Sequence, residues 1–162
     1  MYETYAGRLL AVCRRYIRDP ERAADLVHDS FLKAWDSLDR FHPRRAGSLG
    51  AWLSQIAAHL SVDELRRQKR FSLQDEPCEG PESVVDTTRL AQLPVEELIA
   101  LIAELPEGYR TVFNLFCLDG CSHREIARLL GISEKTSQTQ YLKARHKLAA
   151  LIAAKCEQDE KE

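Results

Sequence analysis

No apolar stretch in the 162 residues approaches the roughly 18 needed to cross a bilayer, and Met1-Tyr2-Glu3 opens without the pattern of a secretory signal. Strand-like alternation of apolar and polar residues is absent throughout, which argues against a sheet. The five cysteines, at 13, 78, 117, 121 and 156, are odd in number and share no repeated pair spacing. That pattern argues against a disulfide framework and fits reduced thiols in a cytoplasm. No nucleophile–base pair, phosphate-cradling loop or paired-carboxylate motif stands out, which argues against an enzyme. Charge of one sign is lacking too, for the formal net charge is −2.

What the chain does have is helix-forming and unevenly charged. Hydrophobic residues make up 44% and charged residues 30%, the balance of a globular rather than a disordered protein. Residues 1–71 hold 13 Lys/Arg and nine Asp/Glu, whereas 72–105 hold one Arg against eight acids. Residues 106–156 hold eight bases and four acids, and the last six hold one Lys against four acids. Two mildly basic blocks therefore flank an acidic segment. Near-neutrality overall does not exclude nucleic acid, which needs only a local positive patch.

Both basic blocks read as helices, so the expected fold is all-α with two small helical domains. In the first, residues 1–71, the stretch 2–18 is rich in Leu, Arg, Ala and Tyr and has no proline. Asp19-Pro20-Glu21 is a helix start: a capping carboxylate, a proline at the first helical position and an acid in the first turn. Val27, Phe31, Ala34, Trp35 and Leu38 recur at helical spacing and predict one apolar face. Asp25, Asp29, Lys33 and Asp36 fall elsewhere, toward water or a partner. Phe41–Gly47 breaks the pattern with turn-forming residues. Ser48 is then expected to cap a long helix with core face Leu49, Trp52, Leu53, Ile56 and Leu60. Its far end, Asp63–Arg70, becomes strongly charged.

Residues 72–93 contain Pro77, Gly80, Pro81 and scattered acids, and read as a flexible linker. This segment is either a solvated connector or an acidic strand for a basic channel on a partner. The second domain, 94–156, opens at Pro94 with an apolar helix (Leu98, Ile99, Leu101, Ile102, Leu105) closed by Pro106. A second helix carries Tyr109, Val112, Phe113 and Phe116 and stops at Gly120. Ser122 and Glu125 have capping-box spacing, Gly131 ends the short helix His123–Leu130, and Ser133 caps a last helix from Glu134 to about Ala154. Residues 157–162 form an acidic tail.

Ser122–Leu148 carries the strongest functional signal. Two capped helices around a tight glycine turn make a helix-turn-helix, with Ala127 at the crossing and Ile126, Leu130 and Ile132 as shared core. The second helix offers Glu134, Lys135, Gln138, Thr139, Lys143 and Arg145. Gln can read adenine, Thr a base edge or a thymine methyl, and Lys or Arg the phosphates. A helical hairpin without DNA is the plainer alternative. The Arg66–Arg70 cluster, beside Trp52 and a Pro/Arg/Gly loop, has the groups to hold a phosphate backbone and stack unpaired bases. A solvated helix end is the plainer alternative there, with Asp63 pairing Arg66 or Arg67. Cys117, Cys121 and His123 hint at a metal, but three candidates on three kinds of local structure favour incidental thiols.

Asp25–Trp35 resembles the polymerase-binding helix of sigma-70-family proteins. Trp52–Ala57 followed by Asp63–Arg67 resembles their promoter-melting helix, and Leu105–Phe113 with Ser122–Lys147 resembles their C-terminal domain. The short, two-domain layout is similar to that of the extracytoplasmic-function (ECF) subgroup. The resemblance implies an alternative sigma factor, with core RNA polymerase and promoter DNA as partners, an anti-sigma factor as inhibitor, a bacterial cytoplasmic setting and no cofactor or metal. Asp25, His28 and Asp29 would then face the clamp of the largest polymerase subunit. The loop 41–50, with His42, Arg44 and Arg45, would capture a flipped base of the minus-ten element. Trp52, Arg66, Arg67, Lys69 and Arg70 would hold the opened strand. Arg124, Glu134, Lys135, Thr136, Gln138, Thr139, Lys143 and Arg145 would meet the minus-thirty-five element, and the linker would follow the RNA exit path.

The chain departs from that family pattern at one place. Many relatives have an apolar residue where Ser137 stands and bases where Gln138 and Gln140 stand. Fewer phosphate contacts follow, so the C-terminal domain is expected to bind DNA poorly alone, with Tyr141 and Leu142 supplying the missing packing. A free-standing helix-turn-helix repressor is the alternative function, but it would account for residues 94–155 alone and would need a dimer to span two half-sites.

Overall fold

The computed structural model describes residues 1–43, 47–68 and 93–159. Among them are seven α-helices and no strand. The chain divides into two compact units, Met1–Phe71 and Ser72–Glu162. Arg44, Arg45, Lys69, Arg70 and the linker up to residue 92 lie outside the described residues.

Unit 1 holds α1 (Tyr2–Tyr16), α2 (Pro20–Asp36), a 3-10 turn (Leu38–Arg40) and α3 (Ser48–Arg67), and each long helix packs on the other two. Asp19 caps α2 as its sequence requires: Oδ1 accepts from the amides of Glu21 at 3.0 Å and Arg22 at 3.4 Å, with Pro20 at the first helical position. The buried stripe of α2 is Ala23, Leu26, Val27, Ser30 and Ala34. This corrects the expected face, because Trp35 is 68% exposed and Leu38 42%. Heptad-like spacing places Val27 and Ala34 correctly, but the stripe is centred nearer Ser30. That serine is tolerated because its hydroxyl donates to the Leu26 carbonyl at 2.6 Å.

The core face of α3 is also displaced from the expected one. Gly50, Leu53, Ala57, Ala58, Ser61, Val62 and Leu65 are buried, whereas Leu49, Trp52, Ile56 and Leu60 are half-buried. Small side chains let α1 and α2 approach closely. A Cβ on Gly50 would lie 3.0 Å from both Tyr5 Cε1 and Arg8 Nη1. Ser48 does not cap α3; it is the first helical residue, and Gly47 precedes it at φ 82°.

Unit 2 holds α4 (Val95–Ala103), α5 (Glu107–Phe113) continued by a π-helical turn (Asn114–Leu118), α6 (His123–Leu130) and α7 (Glu134–Asp159). Its core joins Leu101, Ile102, Leu105, Tyr109 and Phe113 to Ala144, Leu148 and Ile152 on α7. Burying each Leu or Ile there contributes about 1.5–3 kcal/mol. Buried Arg110 donates to the Ala103 carbonyl at 3.1 Å, satisfying the end of α4. Ile99 faces outward, 53% exposed, with Val95 at 66%. Helix α7 runs five residues beyond the expected Ala154 and takes in the start of the acidic tail.

Candidate nucleic-acid interface

The helix-turn-helix is built by local chemistry. The Ser122 hydroxyl accepts from the Glu125 amide at 3.2 Å, and the Glu125 carboxylate accepts from the Ser122 amide at 2.7 Å, completing the capping box. Gly131 takes the left-handed conformation, φ 67° and ψ 36°, and its amide returns to the Ala127 carbonyl. Ser133 then caps α7, accepting from the Thr136 amide at 3.0 Å. Ile126 and Leu130 are buried beneath the turn.

Exposure along α7 sorts the candidate readers. Glu134, Lys135, Gln138 and Thr139 are exposed, as is Arg124 on α6. At 100° per residue, Lys135, Gln138 and Thr139 share the face opposite the buried stripe Ser137, Gln140, Ala144, Leu148. The Thr139 hydroxyl donates to the Lys135 carbonyl at 3.0 Å, which leaves its methyl and remaining lone pair for a groove. Thr136 is half-buried, its hydroxyl 2.8 Å from that of Ser133. Lys143 and Arg145 are half-buried on the two flanks, and the Arg145 guanidinium lies 5.8 Å from the Tyr141 ring centroid.

Two readings of this helix need correction. Gln140 is 1% exposed, so it points into the domain and its position is no phosphate-contact site here. Leu142 is 50% exposed and lies outside the core of unit 2, whereas Tyr141 packs on Phe116 at 4.6 Å and Phe113 at 6.0 Å. Burial pushes the Tyr141 hydroxyl up to about 12, with the Cys117 thiol 3.3 Å away adding to the shift.

In unit 1 the ring of Trp52 lies 4.9 Å from Phe41, tilted 32°; of the expected 41–50 loop, residues 48–50 already belong to α3 and 44–46 lie outside the described residues. His42 is exposed beside Phe41, its Nδ1 3.0 Å from the Arg40 carbonyl. Arg66 and Arg67 are exposed at the end of α3, and Asp63 does pair with Arg66, at 3.8 Å. Of the candidate minus-ten residues, the structure therefore places His42, Trp52, Arg66 and Arg67.

A third surface lies on α2. Asp25, His28 and Asp29 are exposed, and Leu32 (65%) and Trp35 (68%) lie on the same side. Trp35 lines up with His28 and Leu32, at the edge of the exposed surface away from Asp29. Large apolar side chains ringed by charge mark a protein-docking surface better than a DNA surface.

Comparison with known proteins gives this arrangement a family. Residues 1–71 match Sigma-70 region 2, and residues 95–148 match Sigma-70, region 4. The sigma factor CnrH of Cupriavidus metallidurans is 32% identical over 93% of this chain and 84% of its own length. The chain belongs to the sigma-70 family. The ECF sigma factor SigW of Bacillus subtilis is 27% identical over 90% of this chain and 83% of its own length, which places it in the ECF subgroup. A solved structure of the sigma factor RpoE with the anti-sigma factor NepR, from Bartonella quintana, shares the fold at TM-score 0.57. The two are 22% identical, with 94% of each chain covered.

This ECF sigma factor is an alternative sigma factor that directs transcription initiation. Nothing in these matches supports a free-standing repressor. No described helix is long and apolar enough to cross a membrane. Cys117, Cys121 and His123 go to separate tasks. Cys117 meets Tyr141, Cys121 is buried with its thiol pushed up to about 11 by burial, and His123 meets Ser137. Among the described residues no three His, Cys, Asp or Glu side chains gather as metal ligands.

Sequence reasoning missed the ion pair of Arg22 with Glu64 (2.8 Å), which joins α2 to α3, and the outward-facing Leu32 and Trp35. The pair spans 42 residues and leaves no local spacing signal. The apolar face was recoverable, since Leu32 and Trp35 stand four and seven residues beyond His28, about one and two helical turns on.

Proposed function

We propose that this sigma factor divides its work among three surfaces. The α2 face of Asp25, His28 and Asp29, with Leu32 at its centre and Trp35 at one edge, docks on core RNA polymerase. His42, Trp52, Arg66 and Arg67, with Arg44, Arg45, Lys69 and Arg70 of the same segments, capture and hold the opened minus-ten strand. The face of Lys135, Gln138 and Thr139 reads the minus-thirty-five element, flanked by Arg124, Glu134, Thr136, Lys143 and Arg145. The protein has no catalytic activity of its own and works in the bacterial cytoplasm.

The observation that carries this reading is the division of exposure along α7: the buried stripe docks the helix, and the opposite face presents side chains that can meet base edges and phosphates. Each basic block is weakly charged, so tethering both on polymerase supplies the effective concentration that either alone lacks. An anti-sigma factor is the expected inhibitor, by analogy with the RpoE–NepR complex.

The test is transcription by core polymerase, with and without this protein, on genomic fragments, together with a gel-shift of the free protein on the same fragments. Selective initiation that needs both components is expected, with little binding by the free chain at physiological salt. Tight, sequence-specific binding by the free chain, without co-purification of polymerase, would overturn the reading.

A further inference from the structure

Glu64 is 7% exposed, in the last turn of α3, between Asp63 and the exposed pair Arg66 and Arg67. A carboxylate shielded from water in this way is costly to ionise unless it is partnered. Its partners come from two helices. Arg22, in the first turn of α2, brings Nη2 to 2.8 Å from Glu64 Oε2, and the Gln68 side-chain amide donates to the other carboxylate oxygen. The same guanidinium reaches the other way, with Nη1 3.5 Å from Asp25 Oδ2.

Arg22 is therefore shared between two surfaces. One is the α2 face assigned to polymerase; the other is the end of α3 assigned to the opened strand. The planar fork of arginine suits this double reach, which a lysine point charge does not reproduce. The charges respond to one another: Arg22 is held above its ordinary value first by its bond to Glu64, then by the charges of Asp29 and Asp25. Glu64 is held below its own, first by Arg22.

We infer that Arg22 is a positioning residue for promoter opening: by neutralising buried Glu64 it fixes the last turn of α3, and with it the strand-binding Arg66 and Arg67, to the polymerase-docking helix. Loss of Arg22 removes the ion-pair partner and leaves the Gln68 amide as the hydrogen bond to the Glu64 carboxylate, and fraying of Leu65–Gln68 would return that charge to water. Replacing both partners by apolar residues removes the charge that drives the fraying. A single variant and the double variant should thus differ in a way that a direct DNA or polymerase contact of Arg22 would not produce. The inference rests on the assignment of Arg66 and Arg67 to the opened strand.

The experiment compares wild type, Arg22→Met, Arg22→Met with Glu64→Leu, and Arg66→Ala with Arg67→Ala, each as full chain. Three quantities are read: affinity for core polymerase, the rate of open-complex formation on a duplex promoter selected by transcription with wild type, and amide exchange at Leu65–Gln68 in the free protein. Arg22→Met is expected to slow opening by about tenfold and speed exchange, with core affinity little changed. The double variant is expected to return both to within about threefold of wild type. Normal opening in Arg22→Met, or a double variant as slow as the single, overturns the inference. A fall in core affinity that accounts for the whole defect overturns it as well. Normal opening in the Arg66/Arg67 variant instead overturns the strand assignment beneath it. Should Arg22→Met fail to fold, the double variant decides: near-normal opening is the expected result, and loss of opening beyond about tenfold in a folded protein overturns the inference.

Discussion

His123 Nδ1 lies 2.9 Å from Ser137 Oγ, and this hydrogen bond ties the first helix of the helix-turn-helix to the second. The His123 ring also stacks on Phe116, with centroids 4.3 Å apart and planes 14° from parallel, and faces Tyr141 at 5.7 Å. The crossing of α6 and α7 is therefore polar at its centre and aromatic around it. Ser137 is fully buried, and the imidazole is what makes a hydroxyl acceptable there.

Removing the imidazole should cost more than removing the hydroxyl. His123→Ala strips the stack and leaves the Ser137 hydroxyl without its partner, at about 1–3 kcal/mol. Ser137→Ala keeps the stack and should cost about 1 kcal/mol or less. Thermal unfolding of the two single variants and the double variant gives the coupling directly. A coupling energy near zero would mean that the bond contributes nothing to this crossing.

The α2 face should behave as a docking surface whose substitution leaves the fold intact. Trp35→Ala removes a side chain that is 68% exposed, so the melting temperature should hold. Affinity for core polymerase should fall by about 2 kcal/mol or more if Trp35 anchors the interface. Asp29→Arg should weaken binding through charge reversal, also without loss of helix. Titration of fluorescent protein with core polymerase measures both, and undiminished affinity in the two variants would remove this face from the interface.

Three substitutions on one helix separate reading from packing. Gln138→Ala should relax the preferred base at one minus-thirty-five position, costing about 1–3 kcal/mol on the cognate promoter. Lys143→Ala should weaken all promoters alike and lower the salt dependence by about one phosphate contact. Gln140 carries a buried Oε1 with no hydrogen-bond partner, so Gln140→Leu should raise stability by about 1 kcal/mol and leave sequence choice unchanged. A promoter library transcribed with each variant, plus a melt of the last, is the check. An altered base preference in Gln140→Leu would mean that this side chain acts beyond the core.

Glu64 predicts a pH dependence on the acid side. Its native carboxylate is held below the ordinary range by Arg22, so the unfolded chain takes up a proton at higher pH than the folded one. The stabilisation is complete above the unfolded carboxylate value of about 4.3 and is lost as pH falls through the native value. Glu64→Gln cannot titrate, so its stability should fall less steeply across that window. Urea melts at stepped pH decide this, and parallel slopes for the two proteins would show that Glu64 does not drive the acid loss.

Local rules wrote much of this protein into its sequence. Asp19 before Pro20, Ser122 three residues before Glu125, and Gly131 before Ser133 each act within one helical turn, so helix ends and the helix-turn-helix could be placed without a partner in space. The resemblance to sigma factors was legible for the same reason, since its motifs are contiguous. Which side of a helix turns inward was less legible, because that depends on what comes to meet it. Trp35 reads as core by spacing, yet α2 turns Leu26 and Ser30 inward as it packs on α1 and α3, and the tryptophan is left outside. Gln140 reads as surface by polarity, yet the turn at Gly131 aims it into the domain. The Arg22–Glu64 pair and the His123–Ser137 bond join helices across 42 and 14 residues. Such links have no period and no motif; the energy that selects them is the cost of a buried charge or hydroxyl, which exists only once the helices have packed.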